Sequence, residues 1–235
     1  MTEQTQPIVL HYWPTPNGRK ITTMMEELGI PYEVHYVNIG SGEQFEPEFL
    51  AISPNNRMPA VVDPEGPGRT PISVFESGAL LQYLGREFGE FCPQDARARV
   101  AVDEWLMWQM GGLGPMAGQA HHFRIYAPEK IDYAYDRYTN EANRLYGVMD
   151  RRLADHEFLA GDYSFADMAS IGWVSCYERQ GQDLNNFPNL KRWFETMMAR
   201  PAVQTGLSTG LEKRKKLDIS KDKDAQSVLF SQKSK

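Results

Sequence analysis

Three short groups of residues carry side chains suited to ligand chemistry. Thr15-Pro16-Asn17-Gly18 follows an apolar run and precedes a helical pattern. The Thr15 hydroxyl, the Asn17 amide and the backbone N–H groups of a helix N-terminus can all donate hydrogen bonds to a thiolate and lower its pKa. Turn chemistry explains Pro, Asn and Gly equally well. Met58-Pro59 comes just before an apolar run, PAVVD. A cis bond there would leave the Met58 N–H and C=O to pair with a ligand backbone as an added strand does. An ordinary trans proline at a strand edge is the alternative. Glu76-Ser77 opens a third helical pattern, with Ser77 read as its N-cap. The free amides and positive dipole end would take a carboxylate, and Glu76 an adjacent ammonium; together they suit an α-amino acid. A plain helix cap accounts for the same pair.

Other reactive side chains carry less. His121 and His122 are adjacent, so on a helix they do not face one another, and no Cys or acid stands at zinc spacing. At least one of them reads as a packed or capping histidine. Cys92 and Cys176 lie outside these groups and lack a CxxC partner, so each reads as a small buried hydrophobe.

The elements that must position these groups follow from periodicity. Ile8–Trp13 reads as a strand, Arg19–Leu28 as a helix ended by Gly29, and Tyr32–Ile39 as an alternating strand. A short helix over Pro47–Ile52, strands at Pro59–Asp63 and Ile72–Phe75, and a helix from Glu76 complete the first part. A βαβ half demands parallel pairing, and a short link between two strands demands antiparallel pairing. The prediction is a mixed four-stranded sheet. Beyond residue 90 strand signals fade. Helical stretches cover Asp95–His122, Pro128–His156, Ser164–Gln180 and Phe187–Arg200, the third opened by Ser164 as N-cap with Asp167 three residues on. The expected organisation is an α/β domain at 1–89, an all-α domain at 95–211, and a charged, partly disordered tail at 212–235.

The 235 residues suffice for two modest domains, and the net charge of −6 argues against a nucleic-acid partner. There is no apolar run long enough to span a bilayer, and Met1–Pro7 lacks the order of a signal peptide. Two cysteines make no disulfide framework, which predicts a reducing, cytoplasmic location.

The order and spacing of the three groups resemble those of the cytosolic glutathione transferases, over nearly the whole chain up to about residue 210. That resemblance implies a thioredoxin-like first domain and an all-helical second one. The stretches PTPNG (14–18), PEFLAISPNNRMPAVVD (47–63), FESGALLQYL (75–84) and WQMGGLGPMAGQAHHF (108–123) are similar to the bacterial Nu-class transferases, relatives of the yeast nitrogen-regulation protein of the same fold. By this resemblance Thr15 and Asn17 would lie near the glutathione sulfur. Gln44 and Arg57 would meet the glycyl end, and Met58, before Pro59, would pair its backbone with the cysteinyl unit. Glu76 and Ser77 would hold the γ-glutamyl end. Arg137, in YAYDRY (133–138), would contact a second glutathione. The resemblance also implies a homodimer that uses glutathione as co-substrate, or binds glutathione disulfide, and holds no metal. The loop lacks the Tyr, Ser or Cys that activates the sulfur in other classes; Tyr12 precedes it, reads as pointing into the sheet, and stays open as a substitute.

The expected reaction is glutathione-dependent disulfide reduction. Conjugation of electrophiles is the first rival, with Met110, Met116, Phe123 and Trp173 as a candidate acceptor pocket or, equally, as core. A non-catalytic glutathione-binding regulator is the second.

Overall fold

A computed structural model describes residues 5–215, 219 and 221–232. The chain forms two compact units, Met1–Gly89 together with Thr205–Lys235, and Glu90–Gln204. The C-terminal segment thus goes with the first unit, whereas the sequence assigned residues up to 211 to the second.

In the first unit the order is β1 (Ile8–Tyr12), α1 (Pro16–Leu28), β2 (Tyr32–Tyr36), α2 (Pro47–Leu50), β3 (Ala60–Asp63), β4 (Ile72–Phe75) and α3 (Ser77–Phe88). The sheet order is β2-β1-β3-β4. β1 and β2 are parallel, while β3 is antiparallel to both β1 and β4. This is the mixed, thioredoxin-like sheet that the sequence implied. β1 alternates, with Ile8, Leu10 and Tyr12 fully buried. α1 packs on α3, with Ile21, Met24 and Met25 of the former and Leu80, Leu81 and Leu84 of the latter all buried. Gly29 closes α1 at φ 62°, a left-handed value that suits glycine.

The second unit is helical: α4 (Ala96–Trp108), α5 (Gly114–His121), α6 (Asp132–Leu153), α7 (Phe165–Val174) and α8 (Pro188–Met198). Gly111, Gly112 and Gly114-Pro115 do not break the first stretch. A π-helical turn, Gln109–Leu113, carries the chain from α4 into α5, and another, His122–Tyr126, follows. Such turns absorb an extra residue without ending the helix. α7 is shorter than predicted, because its last residues form a separate 3-10 turn, Tyr177–Gln180. Its start carries the full capping box between Ser164 and Asp167.

α9 (Pro201–Ser208) runs across the sequence boundary between the units, and α10 (Leu211–Lys215) and α11 (Lys223–Phe230) follow. A helix therefore stands where disorder was expected. Asp222 caps α11 by accepting from the Ala225 N–H at 2.9 Å, and Ala225 is buried. Its neighbours are tertiary, which composition alone does not reveal. Positions 216–218, 220 and 233–235 of that expected tail lie outside the described residues. Among the described residues, no helix is long and apolar enough to cross a membrane.

Candidate functional site

Strand register brings the three sequence groups to one edge of the sheet. Ala60 is paired with His11 on one side and Phe75 on the other. One step beyond these, Pro59 and Glu76 leave the sheet and β1 reaches its last residue, Tyr12, all at the same end of the sheet. From it depart the loop to α1, the approach to β3 and the corner into α3.

At the first corner Thr15 is the N-cap of α1, extended at φ −97°, ψ 162°, and its Oγ1 accepts from the Gly18 N–H at 3.2 Å. Pro16 occupies the first helical position, where a missing N–H costs nothing. Half-buried Asn17 follows in the first turn. Glycine at 18 is required by space: a Cβ there would lie 2.5 Å from the Trp13 oxygen and 2.7 Å from the Tyr12 ring. Tyr12 itself is fully buried, and its hydroxyl donates to the Thr209 oxygen at 3.0 Å. That excludes it as the sulfur-activating hydroxyl.

At the second corner the Met58-Pro59 bond is cis. Met58 packs its side chain on the cluster of Val37, Phe49 and Ala60, and its backbone stands before the first ladder residue. The Ser53 hydroxyl donates to the Arg57 oxygen at 2.8 Å, fixing the turn that leads in.

The third corner corrects the sequence reading. Ser77 is the first residue of α3, and Glu76 occupies the cap position with φ 71°, ψ 115°. A glutamate in this region carries strain of about 1–3 kcal/mol, which the surroundings must offset. The Glu76 carboxylate accepts from Asn55 Nδ2 at 3.1 Å. Ser77 is buried, and its Oγ accepts from Lys20 Nζ at 3.2 Å. Lys20, on α1, is only 1% exposed. Burial pulls its pKa down to about 7, against the pull of the Glu76 carboxylate in the other direction.

The glycyl-end candidates are placed differently from one another. Gln44 is buried; its Nε2 donates to the Ile39 oxygen at 3.3 Å, while its Oε1 is enclosed with no hydrogen-bond donor. Arg57 is at the surface, with Nη1 bonded to Asn56 Oδ1 at 2.6 Å and to Gln232 Oε1 at 3.0 Å, just past α11. Val228 of α11 stands beside Gly42, 3.8 Å from where a Cβ would be. The tail helix thus borders the loop that carries Gln44. Arg137 belongs to the second unit, exposed on α6 and 3.8 Å from the Glu141 carboxylate.

Lys20, Asn55 and Gln232 were missed by the sequence reading. For Lys20 a signal existed: it stands one helical turn before Met24, on the side that α1 buries. Among the described residues no group of three or more His, Cys, Asp or Glu is arranged to hold a metal. His121 is buried and stacked on Tyr126, with ring centroids 5.1 Å apart.

The profile for the glutathione S-transferase N-terminal domain matches residues 15–87, and that for the C-terminal domain matches residues 113–201. The chain belongs to the glutathione S-transferase family. Disulfide-bond oxidoreductase YfcG of Escherichia coli (strain K12) is 48% identical over 202 residues, covering 85% of this chain and 94% of that protein. A crystal structure of a family member from Pseudomonas fluorescens Pf-5, with two glutathione bound, superposes with a TM-score of 0.81 at 42% identity; it covers 88% of this chain and 94% of that one. A Pseudomonas putida glutathione transferase, with one glutathione disulfide bound per subunit, gives 0.84 at 41% identity over 89% and 94% of the two chains.

Proposed function

We propose that this chain is a glutathione-dependent disulfide-bond oxidoreductase of the Nu-class type, acting as a homodimer in the cytoplasm. One bound glutathione thiolate attacks a small disulfide, forming a mixed disulfide and expelling a thiolate that takes up a proton. A second glutathione thiolate then attacks the mixed disulfide, giving glutathione disulfide and the second thiol. Thr15, Asn17 and the α1 amides hold the first sulfur as an anion. The Met58 backbone, before Pro59, pairs with the cysteinyl unit. Glu76 takes the γ-glutamyl ammonium and Ser77 its carboxylate. Gln44 and Arg57 take the glycyl end, and Arg137 the second glutathione.

One observation carries the reading. The edge where the three corners meet offers hydroxyls, helix amides and a strained corner, yet the chain's two cysteines, Cys92 and Cys176, both lie buried in the other unit. The protein supplies no sulfur to the exchange, so both come from ligands; its contribution is positioning and thiolate stabilisation. The names of YfcG and of the glutathione-bound relatives support this.

The test is a coupled assay with purified chain, glutathione, glutathione reductase and hydroxyethyl disulfide, run beside a chloronitrobenzene conjugation assay. Disulfide reduction should dominate, and Cys92→Ser/Cys176→Ser should keep it. Loss of turnover in that double variant while it remains folded, or faster conjugation than reduction, refutes the reading.

A further inference from the structure

The sheet brings together a pair of histidines on the face turned away from α1. Tyr12 points at α1, since a Cβ on Gly18 would lie 2.7 Å from its ring. By alternation, His11 of β1 points to the opposite face. Strand register then sets His35 of β2 directly beside it, because the ladder pairs His11 with His35 and adjacent strands stand about 4.8 Å apart. Residues paired on neighbouring strands share a face, so the two imidazoles rise side by side. Their ring centroids are 4.9 Å apart and their planes are inclined by 48°. Phe49 of α2 flanks His11 at 6.0 Å, and Ala60, its ladder partner on the other side, has no polar side-chain atom. His11 is half-buried, whereas β2 is the outermost strand and His35 is exposed on it.

The ring nitrogens distinguish this pair from an ordinary aromatic contact, which would have a similar spacing. Among the described residues neither imidazole makes a hydrogen bond; His11 meets the rings of His35 and Phe49, and His35 that of His11. A neutral imidazole carries one nitrogen lone pair and is a common metal ligand. With metal–nitrogen bonds of about 2.0–2.1 Å, two imidazoles on one ion have ring centres roughly 4.5–5.2 Å apart, depending on the angle between the bonds. The observed spacing lies inside that range.

We propose that His11 and His35 form a two-imidazole site for a divalent transition cation of the zinc, nickel or copper class, with water filling its remaining positions. Imidazole suits these ions, whereas magnesium and calcium favour oxygen donors. Glu33 stands two residues before His35 on the same face of β2 and adds negative charge, but no acid among the described residues completes a three-ligand group here. The ion ties β1 to the edge strand β2. The thiol exchange proposed above uses no metal, and this site is independent of it; it departs from the expectation that the chain holds none.

The probe is nickel(II) alone, titrated calorimetrically into the untagged full chain without glutathione, whose thiol would itself take the metal. One ion should bind per chain. His35→Gln and His11→Gln should each weaken binding by about tenfold or more, at least the loss that follows removal of outer support from a metal ligand. His156→Gln, in the other unit, should change nothing. Copper(II) on the full chain should give an electron paramagnetic resonance spectrum with hyperfine structure from two nitrogens, reduced to one or none in His35→Gln. Because the ion joins two strands of the folded sheet, nickel should raise the thermal unfolding midpoint of the full chain and not that of His35→Gln. Absence of saturable binding by the full chain, equal affinity in His35→Gln, or a loss in His156→Gln as large as in His35→Gln overturns the proposal. Circular dichroism checks the fold of each variant, and the copper spectrum of the unaltered chain tests the site with no variant at all.

Discussion

Thr15→Val replaces a hydroxyl by a methyl at almost constant volume, and two separable losses follow. The Thr15 oxygen caps α1 through the Gly18 N–H at 3.2 Å, so valine should cost about 1 kcal/mol of stability, as N-cap losses do. Since that oxygen accepts inside the loop, its hydrogen is available to point at the bound sulfur. A hydrogen bond to a charged partner contributes roughly 1.5–3 kcal/mol. At about 1.36 kcal/mol per pKa unit, its loss should raise the pKa of bound glutathione by one to two units. Below that pKa the thiolate fraction falls about 10- to 100-fold, but a more basic thiolate is intrinsically more reactive, with a Brønsted slope near 0.4–0.5. The net loss of disulfide reduction is then about 3- to 16-fold at pH below that pKa, and it shrinks as pH is raised. The assay is ultraviolet thiolate absorbance of bound glutathione against pH, together with the pH–rate profile. Thr15→Ser keeps both hydrogen bonds and should behave as the unaltered chain. An unchanged sulfur pKa in Thr15→Val that still binds glutathione would refute the role of the hydroxyl, whatever happened to stability.

Two further outcomes follow from other contacts. Asp167 is fully buried and accepts from Leu159 N at 3.0 Å and Trp193 Nε1 at 2.9 Å, yet burial lifts its pKa to about 6. Between the unfolded value near 4 and that folded value the native state holds the extra proton, so stability falls as pH rises through this window, by about 3 kcal/mol at most. Urea unfolding of the chain minus that of Asp167→Asn should show this decline from pH 4 to 6 and no slope above; a flat difference would contradict it. In the first unit, Arg57 Nη1 donates to Gln232 Oε1 at 3.0 Å. A net hydrogen bond of about 0.5–1.5 kcal/mol means Gln232→Ala should tighten glutathione binding roughly 2- to 12-fold by calorimetry, and unchanged affinity would show that the tail does not compete.

How far these features were legible depends on the range over which each is determined. β1, β3 and β4 could be read because alternation and apolar runs are local signals, and the capping box at Ser164–Asp167 is written within four residues. Tyr32–Tyr36 is shorter than predicted because its partner β1 ends at Tyr12, whose oxygen takes the last ladder bond from the Val37 N–H at 2.9 Å. The backbone of Glu76 had no local sign: nothing in its residue type favours φ 71°, and the conformation is imposed where β4 must turn into α3. Helix α11 was hidden for a similar reason, since Lys, Asp and Ser suit a solvated tail until Ala225 finds a surface to bury against. Lys20 was read past because a lysine in an amphipathic helix ordinarily snorkels to water. Its burial is a property of the α1–α3 pair.

The polarity of the corners argues more strongly than any single residue. At Thr15 and at Ser77 the oxygen accepts from within the fold, from an amide in one case and an ammonium in the other. Thr15 caps α1 and Ser77 opens α3, so each oxygen stands at a helix N-terminus whose amides favour an anion. Glu76, at the cap position of α3, carries an acceptor carboxylate. A ligand that satisfies this pattern carries anionic groups at two separated points and a cation next to one of them. An ionised thiol, a carboxylate and its neighbouring ammonium meet that demand, whereas a neutral thiol would face a donor with a donor of its own. On the proposed function, the arrangement that selects the ligand would also favour its reactive form.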